Sequence, residues 1–468
     1  MEFHEMLNQL IEKHPVRSAA LCSGTGRSRA YISKVRSGGF VPSDYGTVLD
    51  LARAIGLDEA ETMRLTECYQ AAKAPESLQG AWTAFDACFT LRPSVPVPAE
   101  GAAALRHGQL IGGREAVLQA VQGLTRNARQ LCMFVTPLQD ALRDICVCVC
   151  AGAGSGAPVR WVTLLDDTEH AADRNTDVFL NVLRTLLVRN TGSRALKGNV
   201  DFLLRHTVHP FYILSERALL LLNADGDSAV YLEAPELLRV YAAQFDACEA
   251  SAAEYVHSYE DVERFLRDIP AFTARCGAAD PELYVIKKYP CLVLESLTSD
   301  IHQYIADMEH ADTIADLYIS FLSEVGANIR RMHSIFPEEG LDTYLNSEEF
   351  YEITKHFTKP IPTALRRGLL GKLVGLCDDG EVVPYLLRMP GLRDSSLYVE
   401  NIWSDGRMIL MYDFGEHYRI FTVYDPDMAQ AVIRYIGSMV KCGILRTKEA
   451  SVRIIREALQ EYQTEVSE

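Results

Sequence analysis

No acidic residue stands between Pro15 and Ser43, although the 468-residue chain carries a formal net charge of −17. That same window holds five bases, Arg17, Arg27, Arg29, Lys34 and Arg36. Long apolar runs are missing too: none reaches the roughly 18–20 residues that cross a bilayer, so no membrane partner is expected. The first residues, MEFHEMLNQLIEKHP, carry acids where a signal peptide would carry Lys or Arg, and a cytoplasmic chain is expected. The 12 cysteines are scattered rather than dense, which fits reduced, buried thiols and no structural disulfides. With 48% hydrophobic and 23% charged residues, neither wholesale disorder nor a fibrous architecture is indicated. The length implies about two to four domains, each with its own core.

The charge is uneven. Residues 1–57 hold seven Lys/Arg against five Asp/Glu, a balance of +2, which leaves −19 for the remainder. An acidic body repels nucleic acid, so contact with DNA is expected at the basic N-terminal segment alone.

Within that segment, apolar residues recur at Phe3, Met6, Leu7, Leu10 and Ile11, the i, i+3, i+4 spacing of an amphipathic helix. A second short helix is predicted over Arg17 to Cys22, burying Ala20 and Leu21. Gly24-Thr25-Gly26 then supplies the positive-φ freedom of a tight turn. Ser28 is placed to cap the next helix, Arg29 to about Ser37, whose only apolar anchors are Ile32 and Val35. A basic helix so thinly anchored keeps a face for something anionic. Gly38-Gly39 ends it, Pro42 blocks continuation, and Ser43 or Asp44 caps a following helix with the stripe Val48, Leu49, Leu51, Ala52 and Ile55.

The spacing of Leu21, Cys22, Gly26, Ser28, Ile32-Ser33, Val35, Arg36, Gly38 and Pro42-Ser43, closed by "LARAIGL" from Leu51 to Leu57, carries a specific resemblance. Residues 3–71 resemble the helix-turn-helix domain of the phage-repressor and Cro family, the XRE family. The resemblance implies that Ser28 to Arg36 is a recognition helix lying in the major groove. By position, Arg29, Ala30, Ser33 and Lys34 would face bases or the groove wall, while Ser18, Gly38 and Ser43 would meet phosphate. Arg17, Arg27, Ser28, Tyr31 and Arg36 complete the expected DNA-binding set. One departure is Ser18, where the family usually carries Gln; the Gln–adenine contact is then absent and specificity leans on Arg29 and its neighbours. The plainer reading is a helical bundle for protein contact with solvated bases. Five bases without an acid, on the helix the fold would present, favour DNA.

Asp58 is expected to cap a fifth helix over 58–71. Another helix is expected from Gln79 to Leu91, followed by a semi-rigid spacer at Pro93, Pro96 and Pro98. The chain thus reads as a helix-turn-helix domain at 1–72, a linker at 73–102, a first α/β unit at 103–268 and a second α/β unit with a helical insert at 269–468. In the first unit, "REAVLQAVQGLTRNA", "LQDALRDICVCVC" and Val178 to Val188 read as helices, and "QLCMFVTP" and "PVRWVTLLD" as strands. Asp280 to Leu376 reads as mostly helical, with "DTIADLYISFLSEVGANIRRMHSIF" strongly periodic.

A repeat links the two units. Residues 211–245, "FYILSERALLLLNADGDSAVYLEAPELLRVYAAQF", and 397–436, "LYVENIWSDGRMILMYDFGEHYRIFTVYDPDMAQAVIRYI", follow one order: strand, charged turn, strand, glycine turn, strand, Pro, helix. Two similar mixed-sheet units are therefore expected in an α/β body. Such a pair resembles the phospholipase D-like fold, which also serves as a non-catalytic sensor behind DNA-binding helices. That family's catalysis uses a His, a Lys two residues on and a later Asp in each half. No His-x-Lys occurs in either half, and "HTVHPF", His206 to Phe211, has no lysine at the required place. By that resemblance no phosphoenzyme can form, and no enzymatic role is expected.

The remaining candidates read more plainly as structure. Cys146, Cys148 and Cys150 lack a second Cys pair or His nearby and are expected to pack rather than bind metal. Gly152-Ala153-Gly154-Ser155-Gly156 lacks the Lys-Ser/Thr of a phosphate loop. Asp166, Asp167, Glu169 and His170 read as a solvated turn. Arg330-Arg331 and Arg366-Arg367 read as surface pairs, and Tyr212, Tyr231, Tyr398 and Tyr412 as strand aromatics in a core. No cofactor or metal is expected. The resulting expectation is a multi-domain DNA-binding transcriptional regulator, an all-α N-terminal domain on an α/β body. It would bind double-stranded DNA as a homodimer, with a small-molecule or protein effector at the body. The alternatives are a phospholipase D-like or other enzyme with an accessory DNA-binding domain, and a phage-type repressor or antitoxin that binds a protein partner.

Overall fold

The computed structural model describes residues 2–73, 91–94, 105–126, 128–135, 140–152, 157–167, 171–188, 192–198, 209, 211–274, 281–291, 301–327, 329–347, 351, 355–388 and 397–465. Nearly all of the helix expected at 79–91 lies outside them, as do 153–156 of the glycine-rich stretch, Glu169, His170 and His206.

Five helices open the chain: α1 (Phe3–Lys13), α2 (Ser18–Thr25), α3 (Arg29–Arg36), α4 (Tyr45–Ile55) and α5 (Glu59–Lys73). Then come β1 (Gln109–Gly112), α6 (Arg114–Thr125), β2 (Leu131–Val135), α7 (Asp140–Gly152), β3 (Val159–Asp166), α8 (Ala171–Leu186), β4 (Gly192–Gly198), β5 (Phe211–Ser215), β6 (Leu219–Leu222), β7 (Ser228–Leu232), α9 (Pro235–Ser251), β8 (Ala253–Tyr259) and α10 (Val262–Thr273). The remainder runs β9 (Glu282–Lys287), α11 (Ile301–Tyr304), α12 (Ala311–Ala327), β10 (Arg331–Pro337), α13 (Glu338–Asn346), α14 (Thr363–Asp379), β11 (Val382–Leu387), β12 (Leu397–Trp403), β13 (Arg407–Asp413), β14 (Tyr418–Tyr424), α15 (Pro426–Lys441) and α16 (Lys448–Glu465). Among the described residues no helix is long and apolar enough to cross a membrane.

The chain forms two compact units. One comprises Met1–Trp82, Leu266–Asp405 and Ala429–Glu468, the other Thr83–Phe265 and Gly406–Met428. In the second, β2, β3 and β4 run parallel, joined by the crossover helices α7 and α8, and β5 lies antiparallel against β2 with Met133 opposite Ile213. Strands covered on both faces read as near-continuous apolar runs, and every residue of Leu131–Val135 and Phe211–Ser215 is buried, with Ser215 donating to the Ala218 carbonyl. Phe134 stacks on Tyr212 at 5.3 Å, and Tyr212 meets Tyr241 of α9 edge-on at 4.9 Å. Arg160 holds α9 from β3, with its guanidinium 5.0 Å from the Phe245 ring centre and paired with Asp246 at 2.7 Å and with Glu249.

In the first unit β9, β10 and β11 run parallel, and β12 lies antiparallel against β9 with Ile402 opposite Tyr284. The order β5-β2-β3-β4 in one unit and β12-β9-β10-β11 in the other is therefore the same, strand directions included. Both repeated sequence stretches fold as three strands followed by a helix that begins at a proline, Pro235 or Pro426.

The reading of 280–376 as mostly helical is corrected. The helix stops at Ala327, and "RMHSIFP" is β10, the middle of three parallel strands. Its residues from Met332 to Pro337 are all buried, and a strand buried on both faces has no alternation to distinguish it from the buried turn of a helix.

Candidate nucleic-acid interface

Glu2 and Glu5 form a capping box at the start of α1, the Glu2 amide donating to Glu5 Oε2 at 2.9 Å. Phe3, Leu7, Leu21, Val35, Tyr45, Leu51, Leu65 and Tyr69 are buried and make the core of the five helices. Tyr69 lies between Phe3, 5.9 Å away edge-on, and Tyr45, 6.0 Å away.

The turn between α2 and α3 is Gly26-Arg27-Ser28, later than expected. Gly26 takes φ +64° as the C-cap of α2, and Ser28 Oγ accepts the Tyr31 amide at 3.2 Å as the N-cap of α3. Gly24 sits inside α2 and serves a different purpose: a Cβ there would lie 2.7 Å from the Ala54 Cβ, so its absence lets α2 close on α4. Leu21 is buried as expected, whereas Ala20 is exposed.

α3 has two faces. Ile32 and Val35 are buried, while Arg29, Ala30, Ser33 and Lys34 are exposed. Arg17 is exposed at the N-cap of α2, and Ser18, half-buried, is its first residue. Ser28 and Ser43 are exposed. Asp44, not Ser43, caps α4, its Oδ1 accepting the Thr47 amide at 3.0 Å. Gly38 holds φ +75°, and a Cβ on it would come within 2.9 Å of the His4 ring.

Two of the expected contact bases are tied to the scaffold. Arg36 donates through Nε to Asn8 Oδ1 at 2.9 Å, and Asn8 Nδ2 donates back to the Arg36 carbonyl at 2.8 Å, which binds the end of α3 to α1. Arg27 donates to Asp44 at 3.3 Å and Thr47 at 3.1 Å, and covers the Tyr31 ring at 5.2 Å. Tyr31 in turn packs edge-on against Phe40 at 4.9 Å. Arg29, Ala30, Ser33 and Lys34 are left as an exposed patch on a helix braced at both ends. Such a patch can donate to bases and phosphates. The scaffold role of Asn8 escaped the sequence reading, because a polar residue on α1 carries no signal of its partner 28 positions away.

In the body, Cys146, Cys148 and Cys150 are buried, and burial pushes the Cys148 thiol up to about 11 and Cys146 well above its usual range. Among the described residues no group of three His, Cys, Asp or Glu could hold a metal ion. Two readings are corrected. Asp166 is buried rather than in a solvated turn, and Asn175 brackets its backbone, accepting its N–H at 2.7 Å and donating to its carbonyl at 2.8 Å. Arg366 is no surface base: it is fully buried and donates to the carbonyls of Tyr344 and Ser347. Arg331 stands 3.9 Å from Glu282. Tyr212 and Tyr412 are fully buried and Tyr231 nearly so, while the side chain of Tyr398 lies outside the described residues. His333 of β10 was not anticipated. It stacks on Tyr284 at 4.2 Å, its Nε2 is 3.4 Å from Glu282, and burial lowers its pKa despite that carboxylate.

No family model matches this chain, and no curated protein matches it in sequence. The resemblance of residues 3–71 to the XRE family therefore stands on the residues themselves. The solved structures similar to this chain include two enzymes by name. The phosphatidylserine synthase of Haemophilus influenzae Rd KW20 shares 13% identity at a TM-score of 0.23, over 83% of this chain and 99% of that one. The polyphosphate kinase of Porphyromonas gingivalis shares 8% identity at a TM-score of 0.23, over 79% of this chain and 60% of that one. Neither likeness is carried over to a substrate or reaction of this chain. The expectation of no enzymatic role is corrected on chemical grounds: a missing His-x-Lys excludes one nucleophilic chemistry and nothing broader.

Proposed function

We propose that the five N-terminal helices bind duplex DNA with α3 in the major groove, and that two copies act together as a sequence-specific regulator. One observation carries this reading: α3 buries Ile32 and Val35 and leaves Arg29, Ala30, Ser33 and Lys34 exposed, with no acid on the helix. A single module of this kind holds few base pairs, so a dimer presenting two such helices about one helical turn apart is the binding species. The body then supplies dimerisation and the response to an effector. The test is recovery of DNA fragments retained by the full chain from a random pool, followed by gel-shift titration. A shared half-site motif supports the reading, and retention without any sequence preference counts against it.

A second reading is an enzyme of phospholipase D-like type with an accessory DNA-binding head. The identical strand order in the two body units favours it, because that fold is built from a duplicated unit. Turnover of phosphodiester substrates by the purified full chain would support this second reading.

A further inference from the structure

The first amide of α4 finds its partner outside the five helices. Asp44 takes the Thr47 amide, and the Tyr45 N–H donates instead to the carbonyl of Cys442 at 3.1 Å. The Tyr69 hydroxyl reaches the same carbonyl at 3.4 Å. Arg388 closes the contact. Its amide donates to the Ile444 carbonyl at 3.1 Å, its Nη1 donates to the Gly443 carbonyl at 3.3 Å, and its guanidinium carbon lies 5.6 Å from the Tyr45 ring centre. Gly443 holds φ +77°, which lets the turn pass beside the start of α4. Arg446 anchors the far side of the turn, its amide donating to the Leu386 carbonyl at 2.9 Å and its guanidinium to Glu338. Tyr45 and Tyr69 are fully buried, and all of these residues belong to one compact unit.

From α4 the contact continues to the exposed helix. Asp44, next to Tyr45, holds Arg27, and Arg27 covers the Tyr31 ring on α3. We propose that Arg388 and the Cys442–Leu445 turn form a latch that positions α3, so that the hold on DNA is set from the C-terminal end of the chain. This rests on the DNA-binding reading and adds its regulation. The bonds that make the latch are two hydrogen bonds to one carbonyl and one cation–ring contact. Water can replace the first, so the latch opens without unfolding either side. Arg388 acts through Tyr45, Asp44 and Arg27 and is a positioning residue.

Hydrogen exchange of the full chain tests the proposal without DNA. In Arg388→Ala and, independently, in the strained-turn variant Gly443→Ala, amides at the start of α4 and along α3 are expected to exchange about tenfold faster or more, while the body's strands keep their protection. Arg388→Lys keeps a cation over the ring and is expected to restore part of that protection. Affinity of Arg388→Ala for the selected DNA is expected to shift about fivefold or more. Unchanged exchange in α3 overturns the latch, and so does faster exchange confined to Tyr45, since the contact is then local packing. A chain that retains no DNA fragment overturns the function proposed above, while the exchange data still decide the latch.

Discussion

Lys13 Nζ lies 2.5 Å from Glu61 Oε1, and His14 Nε2 lies 2.9 Å from the same oxygen. The end of α1 is thereby fixed to the start of α5, where Glu61 also serves in a capping box with Asp58. The hydrogen bond from Lys13, followed by that from His14, lowers the Glu61 carboxyl from 4.5 to about 2. A depressed carboxyl stabilises the fold above its unfolded value and loses that contribution as pH falls towards its folded one. Glu61→Gln is therefore expected to melt earlier than the wild type at pH 7, with the gap closing as pH drops from about 4.5 towards 2. Thermal melts across that range check it; a gap that stays constant would count against the assignment.

Arg29→Ala is expected to weaken binding to the selected DNA by about 1–3 kcal/mol and to relax preference at one base position. Lys34→Ala should weaken all sequences alike and reduce the salt slope by about 1 if it meets phosphate. Gel-shift titrations at several salt concentrations separate the two. Arg36→Ala and Asn8→Ala should instead both lose stability, Asn8→Ala the more, because it removes the bond from Arg36 Nε and also the one to the Arg36 backbone carbonyl, which Arg36→Ala keeps.

Gly24→Ala is expected to destabilise the five helices, although alanine is the better helix former by about 1 kcal/mol. The new methyl would lie 2.7 Å from the Ala54 Cβ, and such overpacking costs about 1–3 kcal/mol. The double variant Gly24→Ala/Ala54→Gly should recover part of the loss in urea melts. Additive losses would show that the two positions do not touch.

Arg366→Met keeps the volume of the buried side chain but leaves the carbonyls of Tyr344 and Ser347 without their donor. A hydrogen bond from a charged donor contributes about 1.5–3 kcal/mol, and losing these two is expected to lower the urea midpoint. A urea midpoint equal to that of the wild type would show that the end of α13 does not depend on this guanidinium.

Much of the N-terminal region was legible because its signals are local. Ser28 and Asp58 cap through residues three positions away, and the anchors Ile32 and Val35 are set by a spacing written in the chain. The repeat in the body was legible for the same reason, as an order of strands, turns and prolines. The strand β10 was not, since a segment buried on both faces carries no alternation. Gly24 was misplaced because a glycine that serves a turn and one that admits a neighbouring helix look alike in sequence.

The sequence by itself determined where the bases gather, which helix carries them and that the body is built twice. Tertiary structure alone decided which of those bases remain available, since Arg27 and Arg36 are engaged by Asp44 and Asn8. It also decided that Cys442 meets Tyr45, hundreds of positions away. Capping and periodicity act within a few residues, whereas pairing of charges and docking of helices depend on which distant side chains the fold brings within a few ångströms.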